Sequence, residues 1–334
     1  MLLPSRLPIV QAPMAGGPST PELAAAVAAA GGFGYLAAGY LSPDALETAL
    51  RRTRDLSAAS IGVNLFVPGP PAEDRAAITA YAERLAPLAE RLGAHLGEPR
   101  WDDDAFDAKV ELVASAGVHT VSFPFRCPTP DVLHRLRAAG ARTAVTVTNA
   151  DEATVAAEAG ADALIVQGTE AGGHQGIFDG HMPNATPLVD ALGAIKGVDL
   201  PMIAADGIMT SDDASTALAA GAEAVQLGTA LLCTPEAATS APHRRALLDA
   251  RYQDTVVTRA FSGRWARGLA NALALQNPDA PAGYPEVHHL TRPLRAAATK
   301  AGNPDVPNLW AGTGWRQVIE APAGEVVRRV AAGL

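Results

Sequence analysis

Eight short apolar or β-branched runs, alternating with seven Ala- and Leu-rich amphipathic stretches, constrain this chain more than any other feature. The runs fall at 8–11, 34–38, 61–66, 120–123, 143–148, 163–167, 202–205 and 224–227. Helical periodicity fills 20–30, 42–52, 71–92, 129–139, 149–159, 186–195 and 211–220 between them. Several of these helices open on good caps: Ser19 or Thr20 before Pro21, Ser42 before Pro43, and Ser211 before Asp212 and Asp213. Others close on Gly31, Gly140, Gly160 and Gly221, where a residue able to take positive φ ends a helix at little cost. The phrase Ala-Gly-Ala, at Ala139, Ala159 and Ala220, each time ends a helix and feeds a strand. One supersecondary unit is therefore being repeated. Eight such units predict an α/β fold closed into a (β/α)8 (TIM) barrel rather than an open sheet, and no G-x-G-x-x-G follows the first strand.

Two stretches break the repeat. The segment 68–105 exceeds one helix and a loop, and 253–334 lies beyond the eighth strand. The expected organisation is a barrel from 1–67 and 106–235. The insertion after the third strand, 68–105, and a C-terminal cap, 236–334, form a smaller substrate subdomain.

The bulk numbers narrow the function. Of 334 residues 48% are hydrophobic and 18% charged, a globular composition with enough chain to bury a large core. A formal net charge of -9 argues against nucleic acid as a partner, since phosphate binding needs clustered Lys and Arg. Cys127 and Cys233 are the two cysteines, which excludes a disulfide framework and a C-x-x-C site. No His/Cys cluster suggests a metal, and Asp102-Asp-Asp104 reads as a solvated turn or helix start. The start, Met1-Leu-Leu-Pro, carries no secretory leader, and no apolar run reaches bilayer length. A cytoplasmic protein without membrane attachment is expected, as a monomer or homodimer.

In a barrel of this kind the chemistry sits at the carboxyl ends of the strands, with phosphate after the seventh and eighth. There the chain reads Ala204-Ala-Asp-Gly207 and Gln226-Leu227-Gly228-Thr229. Backbone N–H groups at such glycines close on phosphate oxygens, and Thr229 adds a hydroxyl. The sixth strand ends in Gln167-Gly-Thr-Glu-Ala-Gly172-Gly173-His174. The paired glycines permit close approach of a flat ligand, and His174 is a candidate general base, with an inert loop histidine as the plain alternative. His181 competes but lacks the flanking glycines. The remaining histidines, His95, His119, His134 and His243, read as solvated, and His288-His289 as surface. Met14, after the first strand, is either a ligand-facing thioether or a core residue. Asn64, a carboxamide among apolar strand residues, wants a partner that a cofactor would supply. Arg126 is equally an anion contact or a surface arginine, and Cys127 reads as packing rather than a nucleophile.

Taken in order, these residues resemble the nitronate monooxygenase family, closest to its class I members. The resemblance rests on Pro8-Ile-Val-Gln-Ala-Pro-Met-Ala-Gly-Gly17, Gly62-Val-Asn-Leu-Phe-Val-Pro68, Val121-Ser-Phe-Pro-Phe125, the Gln167–His174 loop, Ala205-Asp-Gly207 and Gln226–Thr229. It covers 1–235 well and the tail more loosely. It implies an FMN-dependent barrel, with FMN held by Met14, Asn64, Gln167, Gly172, Gly173, Gly207, Gln226, Leu227, Gly228 and Thr229. It makes His174 the catalytic base. An alkyl nitronate, or a neutral nitroalkane after loss of its α-proton to His174, would be oxidised with O2 to a carbonyl compound and nitrite. Arg126, where the family often has glycine, and Trp310-Ala-Gly-Thr313-Gly-Trp, where it often has Trp-Ala-Gly-Gln, depart from the pattern at the expected substrate pocket.

The same scaffold hosts FMN-dependent NAD(P)H:quinone and enoyl-thioester reductases with a similar Glu-Ala-Gly-Gly-His loop, and this reading stays open. A phosphosugar or inosinate-type barrel would need a strand-end Lys or a Cys after the sixth strand, and this chain has neither. A non-catalytic flavin-binding protein is the third possibility.

Overall fold

The computed structural model describes residues 3–334, so Met1 and Leu2, part of the start read as lacking a leader, lie outside the described residues. In chain order the first strands are β1 (Ile9–Gln11), β2 (Tyr35–Ala37), β3 (Gly62–Asn64), β4 (Thr120–Phe123), β5 (Arg142–Val147), β6 (Ala163–Gln167), the two-residue β7 (Gly173–His174), β8 (Met202–Ala205) and β9 (Ala224–Leu227). All except β7 form one parallel sheet in the order β1-β9-β8-β6-β5-β4-β3-β2. The helices packed outside them are α1 (Pro21–Ala29), α2 (Pro43–Leu56), α4 (Phe106–Ala116), α5 (Pro130–Ala138), α6 (Ala150–Ala159), α7 (Leu188–Ile195) and α8 (Ser211–Ala219), with α3 (Arg75–Arg91) inserted after β3. This is the expected (β/α)8 barrel.

The seam between β1 and β2 is closed by a side chain. Beyond one backbone bridge, Val10 to Phe33, the Gln11 carboxamide donates to Tyr35 O at 2.8 Å and accepts from Tyr35 N at 3.1 Å. A buried amide thus stands in for a missing rung of the ladder.

Strand alternation sorts the residues. Ile9, Val63, Val121, Leu164 and Val225 point outward to the helices, whereas Val10, Tyr35, Ala144, Ile165 and Ile203 fill the barrel interior with Leu3. Further along the same inward face the chain turns polar: Asn64, Ser122, Thr146, Gln167 and Gln226. The carboxyl end of the barrel is therefore a polar floor over an apolar plug.

Some local expectations are revised. The helix after β8, α8, is capped by Thr210 rather than Ser211, in a capping box with Asp213. Helix α4 escapes notice in the sequence because Ala105, at φ 51, opens it without a side-chain cap. Past β9 come α9 (Ala241–Leu248), a hairpin of β10 (Thr255–Thr258) and β11 (Ala266–Leu269), α10 (Ala272–Gln276) and α11 (Glu286–Lys300). Helices α3 and α11 share a separate core, with Ile78, Tyr81 and Leu85 against Val287, Leu290 and Leu294. The last helix, α12 (Ala323–Val330), leaves that region. Its Val326, Val327 and Val330 pack in the barrel's outer core with Leu23 and Val27 of α1, which fills the place of the eighth barrel helix.

Candidate active site

Between the polar floor and the C-terminal region lies a cavity of about 460 Å³. Each floor residue has a distinct job. The Asn64 amide donates to Ser122 Oγ at 3.0 Å. Gln167 ties the end of β6 to the loop that follows, donating to His174 O at 3.1 Å and accepting from Gly176 N at 2.6 Å. Gln226 Oε1 is buried and has no partner among the described residues. A buried carboxamide oxygen left open in this way calls for a donor from a ligand.

The loop after β6 is held by the C-terminal region. β7 adds to the β10–β11 hairpin as a third antiparallel strand, with His174 opposite Ala266. Gly173 takes φ +81, and a Cβ there would meet nothing within 4 Å, so its face is open. Gly172 is small for a different reason than a flat ligand. A Cβ on it would lie 2.5 Å from Gly312 N, because the tail crosses directly behind the loop.

His174 lies 2.8 Å, through Nε2, from Ser262 Oγ. Phe125, Tyr284 and Trp310 ring it, with centroids 5.7, 5.8 and 5.3 Å away. Burial, and then the nearby Arg264 and Arg295 cations, push the imidazole pKa down to about 3. What exposure the side chain retains is to the cavity, and at neutral pH it is an uncharged base. Arg264 stacks on Phe125 at 4.1 Å and donates to Gln175 O and Ile177 O, which clamps the segment just past His174.

Of the residues singled out in the sequence, Met14, Asn64, Gln167, Gly172, Gly173, His174, Gln226, Gly228 and Thr229 all line this one cavity. Gly207 sits beside it, packed 3.1 Å (from a notional Cβ) against Thr313 Oγ1. The Leu227 side chain belongs to the outer core, so that residue offers the site its backbone alone. Thr229 Oγ1 accepts the Gly312 N–H at 3.0 Å, joining the β9 end to the tail. Arg126 is exposed. Cys127 is half-buried against the core, where burial pushes its thiol up to about 11, so it is no nucleophile.

Several sequence expectations are corrected. His288 is buried rather than on the surface: it lines the cavity, stacked on Tyr40 at 4.2 Å and 3.2 Å from Arg295 through Nδ1. His289 is half-buried against Asp102 at 2.7 Å. His243 is buried too, with Nε2 2.9 Å from Trp310 O, and burial pushes its pKa down to about 4. His119 is half-buried, edge-on to Phe33. Nor is the Asp102–Asp104 run merely solvated. Asp104 accepts from Tyr40 N at 3.0 Å and pairs at 2.7 Å with Lys109, which is 1% exposed. That pair props Tyr40 at φ 69 over the cavity. One signal for the cap residues exists: His288 and Arg295 fall two helical turns apart on one face of α11. Lys109 gives no such sign.

Among the described residues no helix is long and apolar enough to cross a membrane, and no His, Cys, Asp and Glu group suits a metal ion. The nitronate monooxygenase family model matches residues 4–333. The chain is similar to a "Probable nitronate monooxygenase" of Staphylococcus aureus strain Newman, 34% identical over 340 residues, 98% of this chain and 94% of that protein. Among solved structures it is similar to nitroalkane oxidase from Streptomyces ansochromogenes, 47% identical with a TM-score of 0.96, covering 99% of this chain and 96% of that one. FabK from Thermotoga maritima is similar at 25% identity and TM-score 0.77, over 99% and 93% of the two chains. On the breadth of these matches, and with the barrel and its histidine loop in place, the chain belongs to the nitronate monooxygenase family and is a flavin-dependent oxidoreductase.

Proposed function

We propose that the cavity binds FMN and that the enzyme oxidises alkyl nitronates with O2 to a carbonyl compound and nitrite, accepting neutral nitroalkanes through His174. The observation that carries this reading is an uncharged histidine, fixed by Ser262, in a cavity whose barrel wall is polar and built mostly from carboxamides, hydroxyls and glycines. A flavin suits that wall. Gln226 Oε1 awaits a donor, Gly173 leaves an open face, and Gly228 and Thr229 stand where barrels of this kind take phosphate. Met14, Asn64 and Gln167 complete the cradle, with Gly172 and Gly207 shaping its back. Bound there, FMN supplies the electron acceptor that O2 regenerates.

For a neutral nitroalkane the protein's own task is proton removal. We assign the Nε2–H of His174 to Ser262, which leaves Nδ1 as the acceptor. A base so depressed is weak alone, but the proton it takes leaves a nitronate anion beside the new imidazolium, and each charge stabilises the other. Arg295, also lining the cavity, favours the anion. A nitronate arrives deprotonated and bypasses this step.

The test is nitrite release in air from propionate 3-nitronate and nitroethane by the purified yellow protein. An anaerobic mix with NADH and a quinone, followed at the flavin absorbance, addresses the reductase reading that the likeness to FabK keeps in view. Prompt bleaching by NADH without nitrite release from either nitro compound would overturn the proposal.

A further inference from the structure

Four residues before His174, the loop after β6 carries Glu170, and its carboxyl meets that of Asp206, the residue after β8, within hydrogen-bond range. Glu170 Oε2 and Asp206 Oδ1 are both buried, and no donor among the described residues reaches them. Two ionised carboxylates offer only acceptors, so such a contact holds only if one proton lies between them.

The contact sits where three segments cross. Glu170 O accepts from Thr313 N at 3.0 Å, which brings in the tail. Gly172 and Gly312 press together just beyond it, and Gly207 packs on Thr313 and Gly314. The charged group facing both carboxyls is Arg267 of β11. Its guanidinium is engaged elsewhere, with Thr169 O at 2.8 Å and Thr255 Oγ1 at 3.0 Å. The turn after β8 contributes the Gly207 N–H and the tail contributes Thr313, neither of which titrates.

We propose that Glu170 and Asp206 share one proton in the working enzyme, and that this protonated pair is a positioning device clamping the His174 loop and the tail to the end of β8. The proposal rests on His174 as the base, but its physical signature does not. Burial, and then Glu170, push the Asp206 pKa up from 3.8 to about 8. A carboxyl raised in the folded state contributes stability that is present in full below its unfolded pKa, falls as pH rises, and is gone by about 8. His174, pushed down from 6.5 to about 3, acts with the opposite sign: its contribution grows between those values and is level above them. A decline between about pH 6.5 and 8 therefore belongs to the carboxyl pair and not to the base.

The experiment compares flavin-loaded wild type with Asp206→Asn and Glu170→Gln. In each variant a carboxamide N–H replaces the shared proton and cannot be titrated away. Thermal midpoints and nitroethane turnover are followed from neutral to alkaline pH, together with the infrared carbonyl stretch of a protonated carboxyl at neutral pH. Between about pH 6.5 and 8, below the range where the buried Cys127 and Cys233 thiols, raised from 9.0 to about 11, begin to cost stability in every form, the wild type is expected to show that carbonyl band, to lose midpoint, and to lose kcat through the same pH. Both variants should lack the band and keep their midpoints level over that window, with neutral-pH kcat within a few-fold of wild type. A decline within it that is parallel in wild type and variants, or a band that survives both substitutions, overturns the proposal. Should one variant fail to fold, the other carries the same test. If wild type turns over no nitro compound, the functional reading fails while the midpoint and infrared results still decide the carboxyl pair.

Discussion

Along the barrel rim the cavity wall is built mostly from carboxamides, hydroxyls and glycines, with Asp206 its one carboxyl, whereas the C-terminal side presents Arg295, His243, His288 and the Tyr40–Tyr284 contact. Some rim residues are anchored close by, as Asn64 is to Ser122 of the next strand and Gln167 to the loop that follows its own. The opposite side is held by long-range contacts, such as Tyr40 resting on Asp104 and Lys109 while meeting Tyr284 at 3.3 Å. A wall of mostly neutral polar groups on rigid strands suits a cofactor that every turnover shares. A wall of cations and aromatics on inserted segments can change without disturbing it, which makes that side the place where substrate range is set. His174 lies on the seam, carried by the barrel loop and hydrogen-bonded to Ser262 of the other side.

This division can be broken by substitution. The largest effect is expected on the seam. His174→Asn should lower kcat/KM for nitroethane by about 10²–10⁴-fold, the usual worth of a general base, while flavin absorbance and nitronate turnover stay near wild type. Equal loss on nitronate would mean that His174 does more than remove a proton. Next comes Asp104→Ala, which strands the buried Lys109 ammonium and should cost about 3 kcal/mol in denaturant unfolding. KM for nitronates should rise as Tyr40 loosens, with flavin affinity unchanged. A weakened flavin would show that the two walls are not independent. The smallest effect belongs to the rim: Gln226→Leu should weaken flavin binding by about 1 kcal/mol, roughly fivefold, as measured by titration of the apoprotein. An altered KM with unaltered flavin affinity would reverse the assignment of the walls.

The same contrast explains what could be read from the chain alone. The barrel was legible because its signals are local: the Ala-Gly-Ala junctions, the caps before Pro21 and Pro43, and the polar residues ending five of the inward strand faces, Asn64, Ser122, Thr146, Gln167 and Gln226. Nine residues proposed from strand ends converge on one cavity because alternation and the shared strand direction leave them no other place to point. The far wall was illegible for the opposite reason. His288 reads as one more polar residue on an amphipathic helix, and nothing near it in sequence announces Tyr40, which lies against it from the other end of the chain. Lys109 looks like an ordinary surface lysine until the acidic run before it folds back. The Glu170–Asp206 contact likewise joins two strand ends whose spacing in sequence carries no recognisable pattern.

Helix α12 has a bearing on how the molecule is made. The valines that cover α1 arrive late in the chain, after the hairpin and α11 have already been synthesised. Until then the first helix of the nascent barrel keeps an uncovered apolar stripe around Leu23 and Val27. Synthesis at about 5–20 residues per second leaves that stripe open for many seconds on a growing chain. The ring is thus completed by a segment made long after the helix it covers, so a chain cut short just before Ala323 would carry its catalytic loop intact and its oldest helix exposed to aggregation.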